Sequence, residues 1–279
     1  MRENSGHLTA RGGLKLFYRT WEPDQPTGTV VLVHGMNEHI GRYEHVAQFF
    51  AGHGFAVYAL DQRGFGQSEG DRCYVDRFED YLADLHQFVQ TAQSYGKPIM
   101  IGHSMGGLIA FRYALAYPET LSSLVVSSPF FGVRVQASAV QKALAPLMSL
   151  MIPKLQLAVP FAPEAVCREP EIQQKYAADP LVWKKTTPRW FTETTRARLA
   201  CHEGLTAGMK LPVLFLQAGE DKLVDPLATR AIYEQVPHNR KAFKLYPEMY
   251  HEIFNDPDRQ VVFADILAWL GEQHLTPTT

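Results

Sequence analysis

The sequence is poor in cysteine and has no excess of charge of either sign. Its three cysteines, Cys73, Cys167 and Cys201, are scattered without metal-ligand spacing and lie in no motif that would activate a thiol, so we expect reduced structural residues. The 27 basic and 29 acidic residues give a formal net charge of −2, without a basic block. This balance argues against a surface that tracks phosphates, and no nucleic-acid partner is expected.

Long apolar runs are also missing. The first ten residues have no apolar core of the kind found in signal peptides, and no later run reaches the length of a transmembrane helix. We therefore expect a soluble, cytoplasmic protein. The 46% hydrophobic content over 279 residues is nevertheless enough to bury a large core, and we expect one α/β domain with an insertion.

Short apolar runs alternate with helical patterns along most of the chain. A hairpin predicted over residues 7–20, around Gly12-Gly13, precedes six runs typical of strands that are buried on both faces. These runs are Thr29–Val33, Phe55–Leu60, Pro98–Ile101, Leu121–Val126, Pro212–Leu216 and Ala242–Tyr246. Helical patterns near 42–52, 79–95, 106–117, 226–236 and 257–271 separate or follow them. The alternation predicts an α/β fold with a mostly parallel, eight-stranded sheet and helices on both faces.

One long insertion interrupts this alternation. About eighty residues lie between 127 and 212, far more than the two to six of an ordinary connection, so we assign 1–129 and 206–279 to the core and 130–205 to a cap over the site. A helix predicted over Ala139–Met151 carries an apolar stripe at helical spacing, formed by Val140, Leu144, Leu147, Met148 and Met151. Most of the stripe is expected to pack on the core. Since an apolar cap would also wall a pocket for a fatty substrate, we name Leu147, Met148 and Met151 as candidate substrate contacts.

A possible nucleophile lies in the turn Gly102-His103-Ser104-Met105-Gly106, between an apolar run and a helical pattern. A Gly-X-Ser-X-Gly turn in this setting exposes the serine hydroxyl on a strained backbone, and its glycines leave room for the crowded chain. The five-residue pattern alone recurs by chance, but here the required strand and helix flank it. We therefore predict that Ser104 is the nucleophile.

A serine nucleophile needs a base, and in a parallel sheet the reactive groups gather beyond the carboxyl ends of the strands. Among eleven histidines, His251 follows the last apolar run at that edge and is our candidate base. His238 precedes the same run and would lie at the opposite edge, and the side chain of His103 is expected to point away from the serine. His34 belongs to the loop after the first buried strand. The alternative for His251 is a solvated loop histidine.

The acid of the triad is expected in the loop 217–226. Asp221 is our choice, with Asp225 second and Glu220 third, because Asp225 is well explained as the N-cap of a helix that begins with Pro226. The order Ser104, Asp221, His251 is the nucleophile-acid-base order of α/β-hydrolases.

The oxyanion formed on a serine needs two hydrogen-bond donors. The backbone N–H groups of Met36, in the loop His34-Gly35-Met36, and of Met105, which follows the serine, are predicted to supply them. This chemistry needs no cofactor or metal ion, and we expect none.

These segments together resemble the monoacylglycerol lipase and lysophospholipase branch of the α/β-hydrolases, which is sometimes grouped with the serine aminopeptidases. The matching stretches, in the order of that family, are 34–43, 61–68, 102–106, 219–225 and 250–251. The resemblance implies an α/β-hydrolase fold with a cap. It also makes Glu38 and Arg42 candidate contacts to a glycerol head group, although an ion pair between loop and helix explains the two charges at least as well.

On this basis we expect a cofactor-free serine esterase that cleaves monoacylglycerols or similar single-chain esters and touches lipid surfaces at most transiently. A lysophospholipase, a broad carboxylesterase and an aminopeptidase remain alternatives, because Glu38 could also face a choline or an amine. The non-enzymatic alternative is a ligand-binding protein of the same fold. Loss of a triad member would mark such a protein, and here all three candidates are present.

Overall fold

The computed structural model describes residues 1–134, 139–159, 162–206 and 208–275. Ten strands and eight α-helices are assigned in the described part of the chain. The strands are β1 (Arg2–Thr9), β2 (Lys15–Glu22), β3 (Gly28–Val33), β4 (Phe55–Leu60), β5 (Ile99–His103), β6 (Ser123–Ser127), β7 (Leu157–Ala158), β8 (Lys185–Thr186), β9 (Val213–Ala218) and β10 (Lys241–Tyr246). The helices are α1 (Glu44–Gly52), α2 (Glu79–Thr91), α3 (Met105–Ala116), α4 (Ala139–Met151), α5 (Pro170–Ala178), α6 (Pro188–Thr206), α7 (Pro226–Gln235) and α8 (Arg259–Glu272).

Eight of the strands form one sheet in the order β1-β2-β4-β3-β5-β6-β9-β10. The pairs β1–β2 and β2–β4 are antiparallel, and every other neighbouring pair is parallel. The expected mostly parallel sheet of eight strands is therefore confirmed. Because the parallel strands share one direction, the loops after β3, β5, β9 and β10 all leave the sheet at the same edge.

Burial explains why the central strands read as continuous apolar runs. All residues of β4 and β9 are buried, because helices cover both faces of the sheet. Phe50 of α1 and Phe263 of α8 pack on one face, while Phe111 of α3 and Phe215 of β9 belong to the core on the other. The cysteines Cys73, Cys167 and Cys201 are free and buried, and burial raises the pKa of each thiol to about 12.

The amino-terminal hairpin is longer than predicted. β1 and β2 pair from Arg2–Glu22 to Thr9–Lys15, and the turn between them contains Gly12 and Gly13, both at positive φ. Most residues of β1 are exposed, so the hairpin buries apolar side chains mainly through β2, in which Leu16 and Trp21 are buried. The other strands and helices for which bounds were predicted begin and end within a few residues of them, except that α2 ends at Thr91 rather than near Tyr95.

The segment between β6 and β9 contains α4, α5, α6 and the two-stranded β7–β8 ribbon. Helix α4 packs on α6, where Ser149 Oγ lies 2.9 Å from Thr192 Oγ1 and Arg189 donates a hydrogen bond of 2.9 Å to the carbonyl of Ser149. The far end of α6 joins the main core through Cys201 and Leu205. Division of the chain at residues 130 and 206 therefore stays a prediction. The side chain of Val140 lies outside the described residues.

Helix α3 approaches β3 most closely at Gly106. A Cβ atom at this position would overlap the carbonyl oxygens of Val33 and His34. These are backbone atoms of a buried strand end, so they cannot move aside as a flexible side chain would. No side chain larger than that of glycine fits between the elbow and β3.

We expect Gly106→Ala to destabilise the protein by about 3 kcal/mol, at the upper end of the usual cost of overpacking, although alanine favours helices over glycine by about 1 kcal/mol elsewhere. Urea unfolding followed by circular dichroism measures the change. Gly52→Ala in α1 is the matched control, because nothing lies within 4 Å of its added Cβ. Equal stability of the two variants would contradict the close approach at Gly106.

Candidate active site

Ser104 occupies the sharp turn between β5 and α3. Its φ of 54° and ψ of −118° lie where a side chain costs roughly 1–3 kcal/mol, so the surrounding structure must hold the turn in place. The N–H of Ser104 donates to the carbonyl of Ser127 at 2.9 Å, and its own carbonyl accepts from Phe130 N–H at 2.9 Å. The strained turn is thus fastened to β6 and to the loop that follows it.

The imidazole of His251 lies between the predicted nucleophile and the predicted acid. Its Nε2 is 2.9 Å from Ser104 Oγ, and its Nδ1 is 2.7 Å from Asp221 Oδ2. The other carboxylate oxygen of Asp221 accepts the N–H groups of Leu223 at 2.8 Å and Val224 at 2.9 Å. The structure therefore brings the three predicted residues together in one hydrogen-bonded line.

The two other acids considered for this role lie elsewhere in the same loop. Asp225 caps α7, where its carboxylate accepts the N–H of Leu227 at 3.0 Å. The backbone N–H of Glu220 donates to the carbonyl of Met249, and the carboxylate that meets His251 Nδ1 belongs to the next residue, Asp221. Asp221 is the carboxylate that orients the imidazole.

Burial and charge act in opposite directions on the histidines of this edge. Burial and, to a smaller extent, the charge of the neighbouring His251 together lower the pKa of His103 to about 3. Burial also opposes protonation of His251, but the charge and hydrogen bond of Asp221, with smaller contributions from Glu252 and Glu38, raise its pKa above the usual 6.5. His251 is therefore the ring at this edge that is suited to accept a proton near neutral pH.

The loop after β3 lies against the serine. A Cβ at Gly35 would come within 3.1 Å of Ser104 Cβ, so only glycine allows this approach. His34 supports the loop from beneath, since its Nδ1 lies 2.7 Å from the Gly35 carbonyl and its Nε2 accepts the N–H of Gln62 at 2.8 Å. Burial lowers the pKa of His34 to about 3, which keeps the ring neutral and able to accept that bond.

Met36 and Met105 both line the cavity that contains Ser104. Because α3 begins at Met105, the N–H groups of its first turn have no carbonyl partner within the helix. The two residues predicted to supply the oxyanion donors therefore line the same cavity as Ser104, and their role stays a prediction.

The cavity above Ser104 has a volume of about 390 Å³, within the range of small-molecule sites. Its wall is mainly apolar, with the rings of Phe130 and Trp190 stacked at a centroid distance of 6.0 Å. Charged side chains also line it, namely Glu38, Lys222 and Glu252. The sequence did not single out Lys222 or Glu252. The sequence could have pointed to Glu252 as a site residue, because it is a charged residue that directly follows the candidate base.

The three apolar side chains predicted to touch substrate lie elsewhere. Leu147, Met148 and Met151 are not among the residues that line this cavity. Leu147 is 57% exposed and Met151 is 70% exposed, because both side chains lie on the outer side of α4. The arrangement corrects the expectation that these residues form the pocket wall, which comes instead from Val159, Val166 and the start of α6.

Glu38 and Arg42 form the ion pair that was the alternative to a head-group contact. Arg42 Nη1 lies 3.0 Å from Glu38 Oε2, and the same guanidinium holds Glu252 with bonds of 2.7 and 2.6 Å. Glu38 and Glu252 line the cavity, whereas Arg42 does not. The guanidinium thus contacts two residues of the cavity wall from the side that faces away from the cavity.

Among the described residues, no helix is both long and apolar enough to cross a membrane. No group of three or more His, Cys, Asp or Glu side chains in that part of the chain is arranged to hold a metal ion.

Known proteins resemble the chain over nearly its whole length. It is 35% identical over 266 residues to the monoacylglycerol lipase of Mycolicibacterium smegmatis, a match that covers 93% of this chain and 94% of the relative. It is 27% identical to the phospholipase YtpA of Bacillus subtilis, over 91% of this chain and 98% of that protein. The crystal structure of the Paleococcus ferrophilus monoacylglycerol lipase superposes with a TM-score of 0.85 at 30% identity, over 92% of this chain and 99% of the other.

Residues 24–258 match the family model described as serine aminopeptidase, S33. This range includes the nucleophile elbow, the acid loop, His251 and the whole insertion. The predicted α/β-hydrolase fold and family resemblance are confirmed, and the chain belongs to the serine aminopeptidase S33 family of α/β-hydrolases.

Proposed function

We propose that the protein is a serine ester hydrolase that cleaves monoacylglycerols to a fatty acid and glycerol. The observation that carries this proposal is the hydrogen-bonded line Ser104–His251–Asp221, which ends in a largely apolar cavity. The monoacylglycerol lipases among its relatives support the same substrate class.

The first half of the reaction forms an acyl-enzyme. His251 Nε2 takes the proton of Ser104 as Oγ forms a bond to the ester carbonyl carbon, and the carbonyl electron pair moves to oxygen. The N–H groups of Met36 and Met105 hold this oxyanion, each worth roughly 3 kcal/mol in comparable sites. Asp221 stabilises the imidazolium. The tetrahedral intermediate then breaks its bond to glycerol, and His251 gives the proton to the leaving oxygen.

The second half reverses these proton transfers with water. His251 takes a proton from a water molecule whose oxygen attacks the acyl carbon, and the same two amides hold the second oxyanion. When the bond to Ser104 breaks, His251 returns the proton to Oγ. Fatty acid leaves and the free hydroxyl is restored.

The cavity has the two kinds of surface that a single-chain ester requires. Val159, Val166 and Trp190 form apolar wall suited to an acyl chain. Glu38 and Glu252 supply carboxylate oxygens near Ser104 that can accept hydrogen bonds from a glycerol hydroxyl. Residues 130–205, which include much of this wall, act as the cap in this proposal.

Lysophospholipid hydrolysis is a second candidate, because one cation faces the same cavity. Lys222 lines it, and its Nζ lies 3.8 Å from the ring centroid of Tyr250. An ammonium at this place could pair with the phosphate of a lysophospholipid head. The relationship to a bacterial phospholipase points to the same chemistry.

The outer face of α4 and the segment after it suggest how a sparingly soluble ester reaches the site. Leu150 and Met151 are 72% and 70% exposed, the largest values in an outward stripe that continues through Ile152, Leu155 and Leu157 toward Val159 on the cavity wall. We propose that this stripe rests transiently on the lipid aggregate that holds the substrate. An apolar patch next to a lipid-binding cavity is the type of surface expected for this purpose.

A substrate panel tests the proposed function. We expect monoacylglycerols to be hydrolysed with a higher kcat/KM than di- or triacylglycerols, lysophospholipids or an aminoacyl amide at matched concentrations. Ser104→Ala, which removes the nucleophile, should lower every rate by roughly 10⁵-fold or more and abolish labelling by an active-site phosphonate. A preference for lysophospholipid that disappears in Lys222→Ala would favour the second candidate. Unchanged hydrolysis by folded Ser104→Ala would contradict the mechanism.

The pH dependence follows from the groups that face His251, which are Asp221, His103, Glu252 and Glu38. Only the neutral imidazole accepts a proton, so kcat/KM for a neutral ester should be full at high pH and fall as pH drops through a midpoint above 6.5. In Asp221→Asn, burial dominates and the midpoint should move below that of the wild type, while kcat falls about 10⁴-fold as in a comparable triad. An unshifted midpoint in this variant would disprove the assigned pair.

The contact of the exposed side chains between Leu150 and Leu157 with a lipid surface is tested by Leu150→Ser combined with Met151→Ser. We expect vesicle binding and the rate on dispersed monoacylglycerol to fall at least tenfold, because even one Leu or Met contributes about 1.5–3 kcal/mol when it is fully removed from water. The rate on a soluble short-chain ester should not change. Leu227→Ser is the matched control, since Leu227 is 75% exposed on α7 and should leave both rates unchanged. Parallel loss on both substrates would refute a role at the lipid surface.

A further inference from the structure

Arg42 is placed where it can touch two catalytic loops but not the substrate cavity. Its Nη1 bonds to Glu38 Oε2 at 3.0 Å and to Glu252 Oε1 at 2.7 Å, and its Nη2 bonds to Glu252 Oε2 at 2.6 Å. The side chain is only 9% exposed. A planar guanidinium with this fork of donors fixes both position and orientation of its partners.

One of these partners belongs to the loop that carries the proposed oxyanion donor. Glu38 Oε1 accepts the N–H of Gly35 and also the hydroxyl of Tyr43, the latter at 2.8 Å. Gly35 and Glu38 flank Met36, so a shift of this carboxylate would move the Met36 amide. Through Glu38, Arg42 holds the oxyanion loop.

The other partner belongs to the loop that carries the base. Glu252 directly follows His251, and its Oε2 also accepts from Asn255 Nδ2 at 2.9 Å. Its backbone N–H donates to the carbonyl of Val166 at 2.7 Å. Through Glu252, Arg42 holds the segment on which the imidazole is mounted.

The two carboxylates need this cation. Burial raises the pKa of Glu38, and the same burial acts on Glu252. The guanidinium of Arg42 outweighs burial at Glu252 and holds its pKa at about 2. Without the arginine, two buried carboxylates would face each other unpaired, and one of them would take up a proton or move away.

The insertion also contributes a contact to this cluster. The ring of Tyr176, on α5, lies 4.8 Å from the guanidinium carbon of Arg42, and Tyr176 lines the substrate cavity. Tyr176 therefore contacts the guanidinium and also lines the cavity, which Arg42 itself does not line. A head-group contact would require the opposite arrangement, with the arginine donors turned toward the cavity.

We propose that Arg42 is a positioning residue that holds the oxyanion loop and the base loop at the spacing needed for acyl transfer, whatever alcohol the ester carries. This inference rests on the proposed function. We call Arg42 with its two carboxylate partners, Glu38 and Glu252, the clamp. A misplacement of about 1 Å between catalytic groups can cost on the order of 100-fold in rate, so the effect should be large.

The test compares Arg42→Met with wild type on two esters, a monoacylglycerol and p-nitrophenyl acetate, which has no glycerol head. Rates are expressed per folded protein. We expect kcat to fall about 100-fold on both esters with KM little changed, and the rate of labelling by a small phosphonate to fall equally. Arg42→Lys should recover part of the rate, since an ammonium pairs with one carboxylate at a time.

Arg63→Met is the matched control for the loss of a buried arginine. Arg63 is 13% exposed and holds Asp84 with two bonds of 2.6 Å, but it contacts neither catalytic loop. It should destabilise the fold and leave kcat per folded protein unchanged. If Arg42→Met does not fold, Glu252→Gln takes its place, because glutamine has the shape of glutamate without its charge. We expect this variant to lower kcat about tenfold on both esters.

Two results would overturn the clamp. One is a loss confined to the glycerol ester and expressed in KM, which would make Arg42 a head-group contact. The other is that Arg42→Met has a kcat per folded protein no lower than that of Arg63→Met. If Arg42→Met does not fold, the same comparison is made with Glu252→Gln. An inactive, unlabelled wild type would instead remove the proposed function itself, so the two failures are distinguishable.

Discussion

The hydrogen bond of 2.9 Å between His251 Nε2 and Ser104 Oγ joins residues that are 147 positions apart, and the rest of the structure serves to make that contact possible. Parallel strands deliver the loops after β5, β9 and β10 to one edge of the sheet. The strained backbone of Ser104 then raises its hydroxyl out of the packed layers. The three residues can be far apart along the chain, since strands that share one direction bring their following loops to the same edge.

This constraint explains why so much of the site could be predicted from sequence. Ser104 and Asp221 follow runs that are apolar because β5 and β9 are buried on both faces, whereas His251 follows the partly exposed edge strand β10. Because all three runs were predicted as parallel strands, the edge could be identified before any contact was known. The same argument separated Asp221 from Asp225, because the Pro that follows Asp225 marked a helix N-terminus. Local chemistry and topology agreed, and the geometry of the three side chains follows from both.

What could not be predicted depends on which way a surface faces. The periodicity of α4 correctly identified an apolar stripe, but period alone does not say whether a stripe points inward or to solvent. Leu147 and Met151 point outward because α6 occupies the other side of α4. In the same way, charge at Glu38 and Arg42 indicated an interaction, but the third partner, Glu252, lies 210 positions beyond the arginine, so nothing in the sequence around Glu38 and Arg42 pointed to it.

The two neighbouring histidines beside the serine show how a single carboxylate selects the base. The rings of His103 and His251 lie 4.8 Å apart and are equally buried, so burial alone would keep both neutral. Only His251 has a carboxylate, Asp221, within 2.7 Å of its Nδ1. That contact moves the pKa of His251 upward while the pKa of His103 falls to about 3, and a charge on His251 further disfavours a second one on His103. His103 therefore stays uncharged whenever its neighbour carries the proton, which confines the proton to the ring that can return it to a leaving group.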